Sequence, residues 1–334
     1  MRSCLRRAGC EVQEVHVPVW ETRRHKWTLD AGAAVRLAAA EAKLLFARPR
    51  APFDVVLVGY PGHLDLDAAR RVARDKPVVF NPLVLLADTF VDDRARFESG
   101  SLPARILAAI DRRAFRAADL VVADTQAHAE LFRAFGARRV EVCLVGAEER
   151  LFQPGWTRPE EFTCLFVGKL IPLHGLETIL AAARLAPELS FRVVGSGQLE
   201  RLLDERPPNV DWVRWLQYEQ LADELHRAGC ALGIFGTTAK AQRVIPNKVF
   251  QALACGAPVV TADTPAAREL LADGESALLV PPGDPPALAA AVRRLAGDPS
   301  LAERVAGGGL QAYRAQASEE ILGARWRALL ESLL

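Results

Sequence analysis

Residues 244–260, Val-Ile-Pro-Asn-Lys-Val-Phe-Gln-Ala-Leu-Ala-Cys-Gly-Ala-Pro-Val-Val, read as loop, short helix, tight turn and buried strand. Pro246 stands where a helix begins, with its φ already fixed for the first turn. Gly256 stands where the helix must stop, because glycine takes the left-handed position after a helix without a Cβ penalty. Between them Val249, Phe250, Leu253 and Ala254 form an apolar helical face. The start of such a helix points unpaired N–H groups and the positive dipole end outward, with Asn247 and Lys248 beside them. That arrangement suits an anion, a phosphate above all. The plainer reading is an ordinary helix–strand unit whose lysine is solvated.

Working outward, the same alternation fills the chain. Residues 1–9 look like the tail of a helix ended by Gly9, and 11–19 read as a strand with Val15, Val17 and Val19 along one face. Strands are predicted over 54–58, 77–80, 120–123 and 140–145, and helices over 33–47, 65–74, 103–116 and 126–135. Residues 146–160 break the pattern with proline, glycine and charge and read as a linker. Beyond it strands are predicted over 162–167, 191–194, 210–213, 230–235 and 277–280. Helices are predicted over 176–185, 199–203, 218–228, 266–272 and 286–296. The tail 301–334 is helical, with an interruption at Gly307-Gly308-Gly309. Strand–helix alternation of this kind predicts two parallel-sheet α/β domains, covered on both faces, with their strand C-termini flanking a cleft.

A length of 334 residues favours two domains over one, and an apolar share of 50% is enough to give each a core. The net charge of +1 provides no global field for nucleic acid. Six scattered cysteines show no metal-ligand spacing and read as small core residues in a reducing compartment. No apolar run reaches membrane-spanning length, and no signal-peptide pattern opens the chain, so a cytoplasmic protein is expected. Residues 1–50 hold ten basic and five acidic side chains, an excess of +5, with Arg23, Arg24, His25 and Lys26 between Trp20 and Trp27. Two readings stand for them, peripheral contact with an anionic membrane face and a solvated helix face.

Three loops at strand C-termini of the second half should converge on the cleft. The first carries Gly168, Lys169 and His174. The second carries Gly195 and Gly197 in a GxGxxE spacing, a weak match to a dinucleotide fingerprint placed too late in its domain. The third is the opening stretch. Together they point to a nucleoside-diphosphate site.

The segments "FVGKLIPLHGLETILAAARL", "RVVGSGQLE" and "IPNKVFQALACGAPVVTADTPAARELLADGESALLVPPGD" resemble the donor-binding domain of a GT-B glycosyltransferase, family 4 in particular. The first half agrees more loosely through "VVLVGYPGHLDL", "VVFNPLVLLADTFVDDR" and "AADLVVADTQAH". The resemblance implies two facing Rossmann-like domains. Residues 1–148 would be the acceptor side, 161–312 the donor side, and 313–334 a helix returning to the first domain. It also implies retaining transfer of a sugar from a nucleotide donor to a glycan, lipid-linked or small-molecule acceptor, with no metal or other cofactor.

By position, Lys169 matches the basic residue of the family's first donor loop, and His174 takes the place of a lysine, so weaker or pH-dependent diphosphate binding is expected. Asn247 and Lys248 match its donor-phosphate helix start. Gln251 stands at the second glutamate of the Glu-seven-residues-Glu motif, which holds the ribose, and Arg243 at the first, which touches the donor sugar. Gln251 can bond a diol without charge assistance. In the first half, His63 and Asp88 are the groups expected to orient the acceptor hydroxyl and steady an oxocarbenium-like charge. Family members open with a strand and a glycine-rich loop that this sequence lacks, so a shortened first domain is expected. Two other classes compete: a non-catalytic GT-B protein, favoured by Arg243 and Gln251, and a nicotinamide oxidoreductase, disfavoured because no acidic ribose residue follows the glycines.

Overall fold

The computed structural model describes residues 1–19, 31–94 and 96–334. The basic stretch from Trp20 to Trp27 lies outside them. The first domain runs α1 (Arg2–Arg7), α2 (Ala31–Leu45), β1 (Val56–Val58), α3 (Leu66–Ala73), β2 (Val78–Phe80), a π-helical turn (Asp88–Asp93), α4 (Leu102–Ala117), β3 (Leu120–Ala123), α5 (Gln126–Ala134) and β4 (Val140–Val142). Its strands pair in parallel in the order β1-β2-β3-β4. Every residue of β2 and β3 is buried, as expected of strands covered on both faces.

The second domain comprises β5 (Thr163–Val167), α6 (Leu176–Leu185), β6 (Ser190–Val194), β7 (Val210–Val213), α7 (Leu221–Arg227), β8 (Cys230–Leu232), α8 (Asn247–Cys255), β9 (Val259–Ala262), β10 (Leu278–Val280) and α9 (Pro285–Gly297). Its sheet is parallel throughout, in the order β10-β9-β8-β5-β6-β7. Alternate residues of β5 feed two cores. Cys164 and Phe166 join α6 and α9 on one face, while Leu165 joins Phe250 and Leu253 of α8 on the other.

Two expectations are corrected. Residues 11–18 form no strand; Val15 is exposed, Pro18 has no N–H to give a ladder, and the Gln13 side chain fastens the segment by accepting from Ala51 N. The glycine run does not interrupt the tail: α10 (Pro299–Gln316) passes straight through it. Gly308 and Gly309 are there for space, since Cβ atoms would lie 2.2 Å from Glu275 O and 2.7 Å from a Leu253 methyl. The helix breaks instead at Ala317, and Ser318 caps α11 (Glu319–Glu331) by accepting from Ile321 N.

The linker does not hang free. Phe152 is buried in the second core, and Trp156 Nε1 donates to Ala228 O at 2.7 Å. From the second domain α11 crosses back, and Leu322, Trp326 and Leu329 pack with Cys4 and Leu5 of α1 and with Val79, Leu120 and Val122 of the first sheet. Trp326 is 4% exposed. We expect Trp326→Ala to destabilise the protein by about 3–5 kcal/mol, the cost of an emptied aromatic site. A denaturant midpoint unchanged from the wild type would show that α11 is not a structural staple.

Candidate active site

In the second sheet the strand order reverses between β5 and β8, so a crevice opens beyond the carboxyl ends of those two strands. The loop after β5 carries Gly168, Lys169 and His174, and the loop after β8 carries Lys240 and Arg243 into α8. The loop after β6 lies directly on the β5 loop. A Cβ at Gly195 would fall 1.9 Å from Gly168 O, and one at Gly197 would fall 2.7 Å from Leu170 O. Leu170 N donates to Ser196 O and Leu199 N to Leu170 O. The GxGxxE spacing thus serves loop-on-loop contact.

Helix α8 starts at Asn247 with Pro246 as its N-cap residue, and no side chain caps its first turn. Val249 N bonds to Pro246 O at 2.9 Å, and no side chain takes the N–H groups before it. Gly256 closes the helix at φ 74°. Lys248 differs from the solvated lysine of the plainer reading. Its stem is half-buried, but its ammonium is sealed from solvent, makes no hydrogen bond, and lies 3.7 Å from the centre of the Phe166 ring. Burial holds its pKa well below the ordinary 10.5. His174 is buried beside it, edge-on to Phe166, and its Nδ1 donates to Lys169 O. Burial first, then the charge of Lys248, pushes His174 well below 6.5; Lys169 and Lys240 act in the same sense. All three lysines of residues 161–334 therefore gather around one neutral imidazole. The pH dependence expected of His174 passes to Lys248, because His174 stays neutral near pH 7.

Across the crevice the first domain presents its π-helical turn. Asp88, 4% exposed, accepts from Arg243 Nη2 at 2.5 Å. Asp88 Oδ2 and Arg243 Nε are both buried and unpartnered. Lys240 Nζ donates to Thr89 Oγ1 at 2.7 Å, and Asp93 accepts from Leu173 N of the β5 loop at 3.1 Å. Burial raises the pKa of Asp93 and lowers that of Lys240, each offset by the other's charge. Thr125 Oγ1 donates to Arg243 O at 2.6 Å, and the Glu269 carboxylate accepts from Gln126 N at the start of α5. Lys240, Asp93, Thr125 and Glu269 were not singled out by the sequence reading. For Lys240 a signal existed, since the second half holds only three lysines and it is one of them.

His63 is not brought to this face. Its ring lies between Phe80 and Phe115, its Nδ1 donates to Pro61 O at 2.5 Å, and its Nε2 is 3.3 Å from Asp111 Oδ1. Burial lowers its pKa to about 4. Asp111, raised to about 6 by burial, accepts from Leu86 N and Ala87 N, the two residues before Asp88. His63 thus belongs to the packing beneath the Asp88 turn. Asn247 and Lys169 are exposed, and Gln251 Nε2 donates to Tyr218 Oη at 3.2 Å, tying α8 to the loop after β7.

Residues 161–298 match the family described as glycosyl transferases group 1, and residues 2–148 the glycosyl transferase 4-like domain. Over 170 residues the chain is 28% identical to the lipopolysaccharide core biosynthesis glycosyltransferase LpsD of Rhizobium meliloti, covering 50% of this chain and 48% of that protein. Over 162 residues it is 31% identical to the phosphatidyl-myo-inositol mannosyltransferase of Mycobacterium leprae, covering 46% of this chain and 42% of that protein. It spans about half the length of these curated relatives. HepE of Anabaena, solved with UDP and glucose, shares the fold with a TM-score of 0.66 at 19% identity, over 90% of this chain and 82% of that one. The two matches, one in each domain, place the chain among the GT-B glycosyltransferases, resembling family 4.

Two consequences follow for stability. The unfolded chain keeps the Lys248 proton up to about pH 10, whereas the folded chain sheds it at lower pH. Stability of the ligand-free protein therefore rises as pH rises through that interval and is lost as pH falls. Melting temperatures should climb from pH 7 to pH 9, with a flatter profile and a higher value at pH 7 in Lys248→Met; an unaltered slope would contradict the buried-amine assignment. Arg243→Ala strands the Asp88 carboxylate and should cost roughly 3 kcal/mol or more, whereas Asp88→Asn with Arg243→Met should recover part of that loss in urea denaturation.

Proposed function

We propose that this chain transfers a sugar from a nucleoside-diphosphate donor to an acceptor hydroxyl, with retention at the anomeric carbon. The observation that carries the reading is the Lys248 ammonium, sealed, unpartnered and beside an uncapped helix start. A buried cation without an anion is costly, and a diphosphate would supply that anion to Lys248 and, with Asn247 and Lys169, be held from the second domain. HepE of Anabaena, of the same fold, has been solved with UDP-glucose. Gln251 would take the ribose, and Gly168, Gly195 and Gly197 would let the backbone close on the donor.

On the acceptor side Asp88 is the group that would accept the hydroxyl's hydrogen bond, through the Oδ2 that Arg243 leaves open. His63, through Asp111, would keep the Asp88 turn in place. In a retaining transfer the departing phosphate can take the acceptor proton, so Asp88 orients and Lys248 stabilises the charge on the leaving diphosphate. The reading calls for no metal, since lysines offset that charge. It places the protein in the cytoplasm, in peripheral contact with the inner membrane face. The second reading, a GT-B protein that binds nucleotide without transfer, draws on the same ion pair, because Arg243 already occupies one Asp88 oxygen.

Calorimetry with UDP-, GDP- and ADP-sugars tests the donor site. Lys248→Ala should weaken the binding nucleotide by roughly 1.5–3 kcal/mol, the scale of a charge-assisted hydrogen bond. Wild-type affinity should fall between pH 7 and pH 9, because binding must return a proton to Lys248. Equal affinity in the mutant would remove the diphosphate from α8. Once an acceptor is found, Asp88→Asn should cut kcat by about 100-fold or more with nucleotide affinity kept, and the product's anomeric proton coupling would decide retention. A mutant with unchanged kcat would remove Asp88 from the acceptor side, whereas nucleotide binding with no transfer to any acceptor would leave the non-catalytic reading standing.

A further inference from the structure

Away from the ion cluster, α4 and the π-helical turn enclose an open cavity of about 640 Å³. Its apolar lining includes Val91, Leu102, Ile106 and Ala109, and its charged lining among the described residues is Arg105 and Arg112. Leu102 is 69% exposed and Ile106 51% exposed, high values for large apolar side chains. The chemistry follows from how α4 is turned. Its single acid, Asp111, is fully buried and engaged with Leu86 N and Ala87 N. The solvent stripe of the helix therefore carries Arg105, Arg112, Arg113 and Arg116 and no exposed acidic residue. Arg113 pairs with Asp67 of α3 at 2.7 Å, and Arg112 lies over the Phe135 ring at 5.3 Å. Among the described residues Arg105 has no such partner. Helix α3 lies between α2 and α4, and beyond the end of α2 the exposed Phe46 has Arg71 over its ring at 5.5 Å. Apolar side chains interleaved with arginines thus occur on both sides of α3.

We infer that the solvent face of α4, with the cavity beside it, docks on the surface of an acidic-phospholipid bilayer. Leu102 and Ile106 would enter the acyl boundary while Arg105 and Arg112 meet lipid phosphates. This deepens the membrane contact of the reading above, rests on it, and moves that contact from residues 20–47 to α4. The Ala87 and Val91 side of the π-helical turn faces the cavity, and Asp88 of the same turn faces the donor domain. A protein held by α4 would therefore present its cleft one helical turn from the lipid surface.

The test is co-sedimentation of the full chain with phosphatidylcholine vesicles, with or without phosphatidylglycerol, at low and high salt. Thermal shift with UDP is run in parallel. We expect binding to the acidic vesicles only, weakened by salt. Arg105→Gln with Arg112→Gln should lower the partition constant roughly 30-fold, two cations at about 1 kcal/mol each. Leu102→Ser with Ile106→Ser should lower it at both salt concentrations. Both double variants should keep the wild-type melting temperature and UDP response. Equal binding to neutral vesicles, wild-type binding by either variant, or no sedimentation would overturn the inference. So would a dimer that the Leu102/Ile106 variant dissociates, or a response of the arginines to soluble glycerol phosphate without vesicle binding. A wild type that sediments without responding to any nucleotide would instead count against the donor site and leave the docking surface standing.

Discussion

The ion pair between Asp88 and Arg243 joins two domains that otherwise have separate cores. Each partner comes from a short turn at the mouth of its own sheet, and the half-buried Arg243 supplies the counter-charge for the buried Asp88. Around the pair the two domains exchange further polar contacts: Lys240 to Thr89, Leu173 to Asp93, Thr125 to Arg243, Glu269 to the α5 start. None is a large apolar contact. On the far side α11 provides one, through Trp326 and its neighbours on the first sheet. The two domains are thus held by a hydrophobic strap at the back and by polar contacts at the front. Polar pairs can exchange a protein partner for water or substrate, whereas a packed tryptophan cannot.

Beside this contact Lys169, Lys240 and Lys248 bear on His174, while among the described residues Asp88 and Asp93 face Lys240, Arg243 and Arg94. Lys240 and Arg243 are matched by those acids. Lys248 is matched by nothing but the face of Phe166, which offers far less than a charged partner. His174 adds no further charge, because burial first and the same lysines second keep it neutral. The second domain thus brings the lysines to the crevice, and the first domain brings the carboxylates.

Much of this was legible in the sequence. Strand–helix alternation located both sheets, and proline and glycine around α8 located the helix that matters most. What was not legible depended on contacts far apart in the chain. His63 follows a strand in the manner of a site residue, yet Phe80 and Phe115 enclose it, and no local pattern announces that. Gly307-Gly308-Gly309 resembles a break because glycine weakens an isolated helix. In place, it allows α10 to lie against Glu275 and Ser276. Lys240 was overlooked because its loop has no motif; the scarcity of lysine in the second half was the available clue. The valines of residues 11–19 alternate as a strand should, but alternation specifies a face and not a partner.

Position 243 gathers these threads. By its resemblance, the sequence places Arg243 at the first glutamate position of the family's Glu-seven-residues-Glu motif. Here a glutamate would meet Asp88, itself 4% exposed, and two carboxylates at hydrogen-bond distance cannot both stay ionised. Arginine at 243 and aspartate at 88 therefore form one device: each makes the other tolerable in the interior. Because Arg243 uses Nη2 on one Asp88 oxygen, its Nε and the second Asp88 oxygen remain open as a donor and an acceptor, contributed by different domains. A hydroxyl can both give and take a hydrogen bond, which makes it a fitting guest for such a pair. Arginine at 243 thus leaves one donor and one acceptor open side by side, a pair that exists only while the two domains are together.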